Sequence, residues 1–337
     1  MKKVTFLLIA AALLALVPSF AQAQGAFDGY MFGDYYYVMN QNNSDLKGMN
    51  GFQFRRIYFT FNTELTDSIK MRLRLEMANA SFASANMTPW VKDAYIDAKL
   101  GEQKIKFGIM ASPAYGKTVE DIWGYRHLEK TPLDLFKFAS SRDFGIALTG
   151  DAAKGVNYLV MFANGGGEKG EDNRGKKVMC ALTFKPAEGF VIEVYGDYEY
   201  RSETDKRTTY EGFASYSGNW GRIGVLYANQ VLANGTTVNM GLFSAFGVIK
   251  AGKSVDIIGR VDMATTDGWL SKFKGSGISY VPFANYAKPT FVIAGLSFTV
   301  ANNFWVIPNI KFATYSGDNV DLKDDVIASM TFYWKFK

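Results

Sequence analysis

The sequence predicts an all-β fold, a transmembrane antiparallel barrel of about 16 strands, within roughly 14–18. Three observations carry the prediction. Apolar and polar residues alternate with a period of two through most of the chain, as in IKMRLRLEM (Ile69 to Met77). Beyond the N-terminal stretch, no apolar run approaches the ~20 residues a spanning helix requires. The chain also ends on an aromatic-bearing alternating strand, ASMTFYWKFK.

Taken in order, the chain opens MKKVTFLLIAAALLALVPSFAQAQ. Lys2 and Lys3 precede a short apolar core, and Ala21-Gln22-Ala23 supplies small residues for cleavage, the pattern of an export leader. The expected organisation is therefore a Sec signal peptide over residues 1–23 and one barrel domain over 24–337. Removing the two lysines takes the formal charge from +5 to +3, too weak a bias to point to nucleic acid. A single cysteine, Cys180, excludes an internal disulfide framework.

Read as a strand, Ile69–Met77 places five apolar residues on one face and Lys70, Arg72, Arg74 and Glu76 on the other. The same alternation recurs in RRIYFTFNTEL, where Ile57, Phe59 and Phe61 oppose Arg56. Val91 to Leu100 sets Ala94, Ile96 and Ala98 against Asp93, Tyr95 and Asp97, and KIKFGI presents Lys104 and Lys106. Further on, Val178, Cys180, Leu182 and Phe184 share a face, and Glu193, Asp197, Glu199 and Arg201 oppose Ile192, Val194 and Tyr198. Val255 to Met263 repeats the pattern with Asp256, Arg260 and Asp262. Segments around Asn239 to Lys250 and Ser276 to Asn285 alternate weakly.

A soluble sandwich also alternates, but its strands average ~5–6 residues, against the ~9–11 of a membrane strand. In lipid every backbone group must be satisfied internally, so the strands must close on themselves. The apolar faces then meet lipid, and at this strand number the interior holds water.

A basic sector of Arg56, Lys70, Arg72, Arg74, Lys104 and Lys106 is expected on the lumen wall, with Glu76, Asp93, Asp97, Glu193, Asp197 and Glu199 as acidic counterparts. Such charges either pair across strands or bias ion passage, and a transverse field between opposed walls is as compatible as uniform anion attraction. The longest interruption, Ala111 to Arg142, carries Trp123, Leu128, Leu133, Leu135, Phe136 and Phe138, too many apolar groups for a free loop. It is expected to fold inward and present Lys117, Arg126, Lys130, Lys137 and Arg142 at a constriction. Asn164 to Lys177, glycine-rich, reads as a flexible external loop.

GFQFRRIYFTFNTEL, VKDAYIDAKLGEQKIKFGIMASP, SSRDFGIALTG and ALTFKP resemble the phosphate-selective porin O and P family, best over residues 51–186. The resemblance implies a trimeric sixteen-stranded outer-membrane pore in which strand arginines and loop lysines guide anions. At the matching positions this chain has Arg55, Arg56, Arg142 and Asp143, with Lys117, Lys130 and Lys137 as candidate loop lysines. The implied function is passive diffusion of small hydrophilic solutes, favouring anions such as phosphate, without cofactor or metal. A non-conducting adhesive scaffold, an uptake channel for one organic anion and a barrel hydrolase are the competing readings. Hydrolysis finds little support, because His127 is the only histidine available as a base.

Overall fold

The structure, a computed structural model, describes residues 25–79, 86–113, 117–275, 281–317 and 322–337. The expected leader lies outside the described residues. Sixteen strands form one closed antiparallel barrel: β1 (Ala26–Asn40), β2 (Asn50–Thr66), β3 (Ile69–Met77), β4 (Trp90–Leu100), β5 (Gln103–Ala111), β6 (Arg142–Ala153), β7 (Val156–Ala163), β8 (Lys176–Phe184), β9 (Phe190–Tyr200), β10 (Asp205–Gly218), β11 (Gly221–Asn234), β12 (Thr236–Lys250), β13 (Val255–Ala264), β14 (Lys288–Ala301), β15 (Phe304–Ser316) and β16 (Asp325–Phe336). Each strand pairs with its sequence neighbours, and β1 pairs with β16 from Gly29↔Phe336 to Asn40↔Val326. No edge strand remains, which is what a bilayer without hydrogen-bonding solvent demands.

Alternation becomes two faces. Leu73, Ile96, Phe107, Val178, Val194 and Cys180 are exposed on the outside, while Glu76, Asp93, Glu193 and Asp197 are buried within. Aromatic residues gather at both rims, with Phe27, Phe190, Trp220 and Phe298 toward the short-turn end and Tyr35, Phe52, Tyr198 and Tyr210 toward the other. Tight turns at the first end need left-handed backbone, supplied by Gly101 (φ +63°), Gly155 (φ +76°) and Asn303 (φ +63°). In such barrels the short turns are periplasmic and the longer connections extracellular.

One expectation is corrected and one open reading is resolved. Strands run from 8 residues in β7 to 17 in β2, because ladders continue past the apolar band. The weak segment near 276–285 is no strand where described: residues 281–287 connect to β14, whereas Asn239–Lys250 lies wholly in β12.

The interior is not lined by polar groups throughout. Phe213, Leu226, Leu242, Val248, Ile258, Phe291 and Ile293 face inward from β10 to β14 and are buried. The connection between β5 and β6 covers them, carrying two short helices, α1 (Lys117–Trp123) and α2 (Pro132–Leu135). Trp123 meets Phe246 edge-on at 5.2 Å, and Phe136 packs against Trp269 and Phe283 at 5.3 Å each. Most of this connection is irregular, so its carbonyls need donors from the wall. Arg222 donates to the carbonyls of Ile122 (2.5 Å) and Trp123 (3.0 Å). Arg260 donates to Lys130 O and Gln230 to Phe138 O, both at 2.5 Å.

Truncating Phe136 to Ala removes a buried ring at a cost of about 3–5 kcal/mol to loop docking. Limited proteolysis should then cut within residues 112–141 while the barrel keeps its folded, heat-modifiable gel migration. An unchanged digestion pattern would show that docking does not depend on this aromatic cluster.

Candidate pore constriction and its vestibules

Two β-bulges place charge where alternation would not. Phe32 pairs with Arg56 and Gly33 with Phe54, so Arg55 is an extra residue in β2. Leu75 pairs with Val91 and Arg74 with Asp93, so Lys92 is extra in β4. Each bulge turns two consecutive charged residues inward. Arg55 and Arg56 are both buried, and the Lys92 side chain is 12% exposed beside buried Asp93.

Most wall charges are paired. Arg56 contacts Glu76, and Glu76 also lies 3.2 Å from Lys92. Asp93 receives Arg142 at 2.5 Å and Arg74 at 3.6 Å. Arg72 donates to Asn62 at 2.8 Å, and Lys106 stands 3.8 Å from Asp97. Lys70 pairs with Glu64 at the periplasmic rim, where both side chains are more than half exposed. Lys104 sits opposite Lys99 at the same rim. Further round the wall, on β8 and β9, Lys177 binds Asp197 at 2.8 Å and approaches Glu199 at 3.8 Å, and Arg201 binds Glu199 at 2.8 Å. Glu193 is buried elsewhere and accepts from Thr183 at 2.6 Å. The side chain of Lys117 lies outside the described residues.

Arg55 anchors the loop from β2. It contacts Asp34 and donates to the carbonyls of His127 (2.5 Å) and Leu128 (2.8 Å). His127 stacks on Tyr333 with ring centres 4.1 Å apart. Burial, and next the Arg55 charge, hold its pKa well below the ordinary 6.5.

The loop separates two cavities. The extracellular one, of about 350 Å³, is lined by Lys92, Lys130, Lys137, Lys177, Arg201 and Arg207 with Asp134, Asp143, Glu168 and Glu199. The periplasmic one, of about 510 Å³, includes Tyr30, Glu120, Asp121, Arg126, His127, Tyr333 and Lys335. Between them Arg126 lies 3.5 Å from Glu120 and 3.7 Å from Asp134, and Lys130 is 3.7 Å from Asp134. Lys137 has φ +59°, a left-handed conformation for a residue with a side chain, and its partly exposed ammonium makes no ion pair among the described residues.

Of the loop residues expected at a constriction, Lys130 and Lys137 line the upper cavity and Arg126 the lower, while Arg142 is tied to Asp93. None of the expected β2, β3 and β5 cations lines either cavity: cross-strand partners hold Arg56, Arg72, Arg74 and Lys106 against the wall, and Lys70 and Lys104 lie at the periplasmic rim. Lys92, Lys177, Arg207 and Glu168 are the additions. The inward face of Lys177 follows from outward Val178, whereas Lys92 depends on a bulge that alternation cannot reveal. Nor does residues 164–175 stand free: Glu168 binds Lys92 at 2.5 Å and Asp143 accepts from Gly165 N–H at 3.1 Å.

The sequence matches the family model described as phosphate-selective porin O and P over residues 28–241. The chain belongs to that family. It is an outer-membrane porin, and the barrel with its internal loop is the channel wall. No curated protein matches the sequence. Among solved structures, an anion-selective porin from Comamonas acidovorans is similar at 9% identity, covering 94% of this chain and 100% of that one, with a TM-score of 0.70. Salmonella typhi OmpF in complex with daunomycin aligns at 14% identity over 93% and 98%, with a TM-score of 0.66. The trimer form of OmpT, an outer membrane protein of Vibrio cholerae, aligns at 12% over 93% and 99%, with a TM-score of 0.64. At these identities the likeness is one of fold.

Because His127 resists protonation when docked, the unfolded chain binds a proton that the folded porin refuses once pH falls below 6.5. Stability should therefore drop with acidification by at most about 1.4 kcal/mol per pH unit. Urea titrations at pH 7.5 and 5.5 should show a larger acid loss in the unaltered porin than in His127→Phe. Equal losses would mean that His127 protonates freely in the fold.

Proposed function

We propose that this porin passes small hydrophilic solutes with a preference for anions of phosphate size, and that the extracellular vestibule is where the preference is set. The observation that carries this reading is the lining of that cavity, six basic side chains against four carboxylates. Low-dielectric walls concentrate the resulting field and raise the local anion concentration. Lys137 is the chief candidate for contact with the solute. Burial, and then the neighbouring Lys130 charge, lower its pKa. Its left-handed backbone sets the direction in which the side chain leaves the loop. Lysine offers an oxyanion a compact charge that releases it again, as conduction requires.

Export through the Sec leader at residues 1–23, a single barrel domain and assembly as a homotrimer complete the reading. The trimer form recorded for the Vibrio cholerae neighbour supports the last point. We read the porin as non-enzymatic, since its one histidine is buried and stacked on Tyr333.

In planar bilayers under a KCl gradient, the reversal potential should lie on the chloride side and phosphate should reduce the chloride current. Lys137→Gln should lower the chloride-to-potassium permeability ratio about two- to threefold, the effect of one unit charge several ångströms from the ion in a water-like medium. A potassium-side reversal in the unaltered porin would overturn the anion preference, and an unchanged ratio in the variant would remove Lys137 from the filter.

A further inference from the structure

The two cavities have no lining residue in common. What joins them is the contact between Arg126, on the wall of the lower cavity, and Asp134, on the wall of the upper one. Asp134 belongs to the single turn α2 and does not cap it. Its carboxylate lies 3.7 Å from both the Arg126 guanidinium and the Lys130 ammonium. Charge-assisted hydrogen bonds run nearer ~2.7–2.9 Å. Consistently, Oδ2 of Asp134 is buried without a hydrogen-bond partner among the described residues. A carboxylate whose buried oxygen is held by charge rather than by a hydrogen bond is the kind of group another anion can replace.

We propose that Asp134 is a tethered competitor for the permeating anion: its carboxylate occupies the central anion position between the vestibules, and a solute anion crosses by taking that place between Arg126 and Lys130. The proposal rests on the anion-channel reading and names a residue that grades its selectivity. Asp134 is charged whenever the channel conducts at neutral pH. Burial alone would raise its pKa, but Lys130, Arg126, Lys92 and Arg56 outweigh it and hold the carboxyl below its usual range. The tether has two consequences. It opposes entry of weakly interacting anions, and it shortens the residence of strongly bound ones by returning to the site.

The test measures reversal potential under a KCl gradient and phosphate block of the chloride current, in the unaltered porin and in Asp134→Asn, Asp134→Ser and Asp134→Glu. Both neutral variants should raise the chloride-to-potassium permeability ratio and tighten phosphate block, each about threefold, while Asp134→Glu keeps the unaltered values. Two neutral variants guard against misfolding in one, and gel migration of the folded form confirms each. Unchanged selectivity in both neutral variants overturns the proposal, as does an equal shift in Asp134→Glu, which would trace the effect to loop shape. If the unaltered porin prefers potassium, the anion-channel reading falls. A neutral-variant shift toward chloride would even then uphold Asp134 as the residue that opposes anions.

Discussion

Closure of the β1–β16 ladder is the constraint on which the rest depends. In hydrocarbon an unpaired strand edge leaves a row of unsatisfied amides, each costing several kcal/mol, so the sheet must return to its start. Closure at sixteen strands makes the bore wider than wall side chains alone can fill. A sheet that is apolar outside therefore needs an additional segment inside to shape a passage. The connection between β5 and β6 is that segment, and its apolar residues require a dry surface to rest on. The inner faces of β10 to β14 provide it, at the expense of alternation along those strands.

This docking changes the meaning of the arginines. Arg55, Arg222 and Arg260 all face inward, and all three donate to loop carbonyls. A guanidinium carries five N–H donors, enough to satisfy an irregular backbone and a carboxylate together, as Arg55 does with His127, Leu128 and Asp34. These are structural cations whose charge is largely committed. Counting basic residues in the lumen thus overstates the number of cations free to meet a solute.

Strand positions and faces were legible wherever one face met lipid and the other water, as in Ile69–Met77. Legibility failed where that contrast disappeared. Asn239–Lys250 looked weak because Met240, Leu242, Phe246 and Val248 turn inward onto the loop, leaving apolar residues on both sides. It failed again at Arg55 and Lys92, because a bulge depends on pairing between strands and leaves no trace in the spacing of one. For the long loop, composition gave the apolar excess but not which cation would point where. That depends on the turn at Leu135–Lys137, whose left-handed residue happens to be a lysine.

Where selectivity can arise then follows from screening. At physiological ionic strength exposed charges lose their reach beyond ~8 Å. Lys70 and Glu64 pair at an open rim, so their fields cancel nearly where they start. Arg74 and Arg142 share Asp93, which neutralises part of their charge within the wall. In the extracellular vestibule Lys92, Lys130, Lys177 and Arg201 are likewise paired with carboxylates, whereas Lys137 makes no ion pair among the described residues. Under the proposed reading, the fixed charge that grades selectivity is therefore the uncompensated one beside the loop tip, whatever the charge at the mouths.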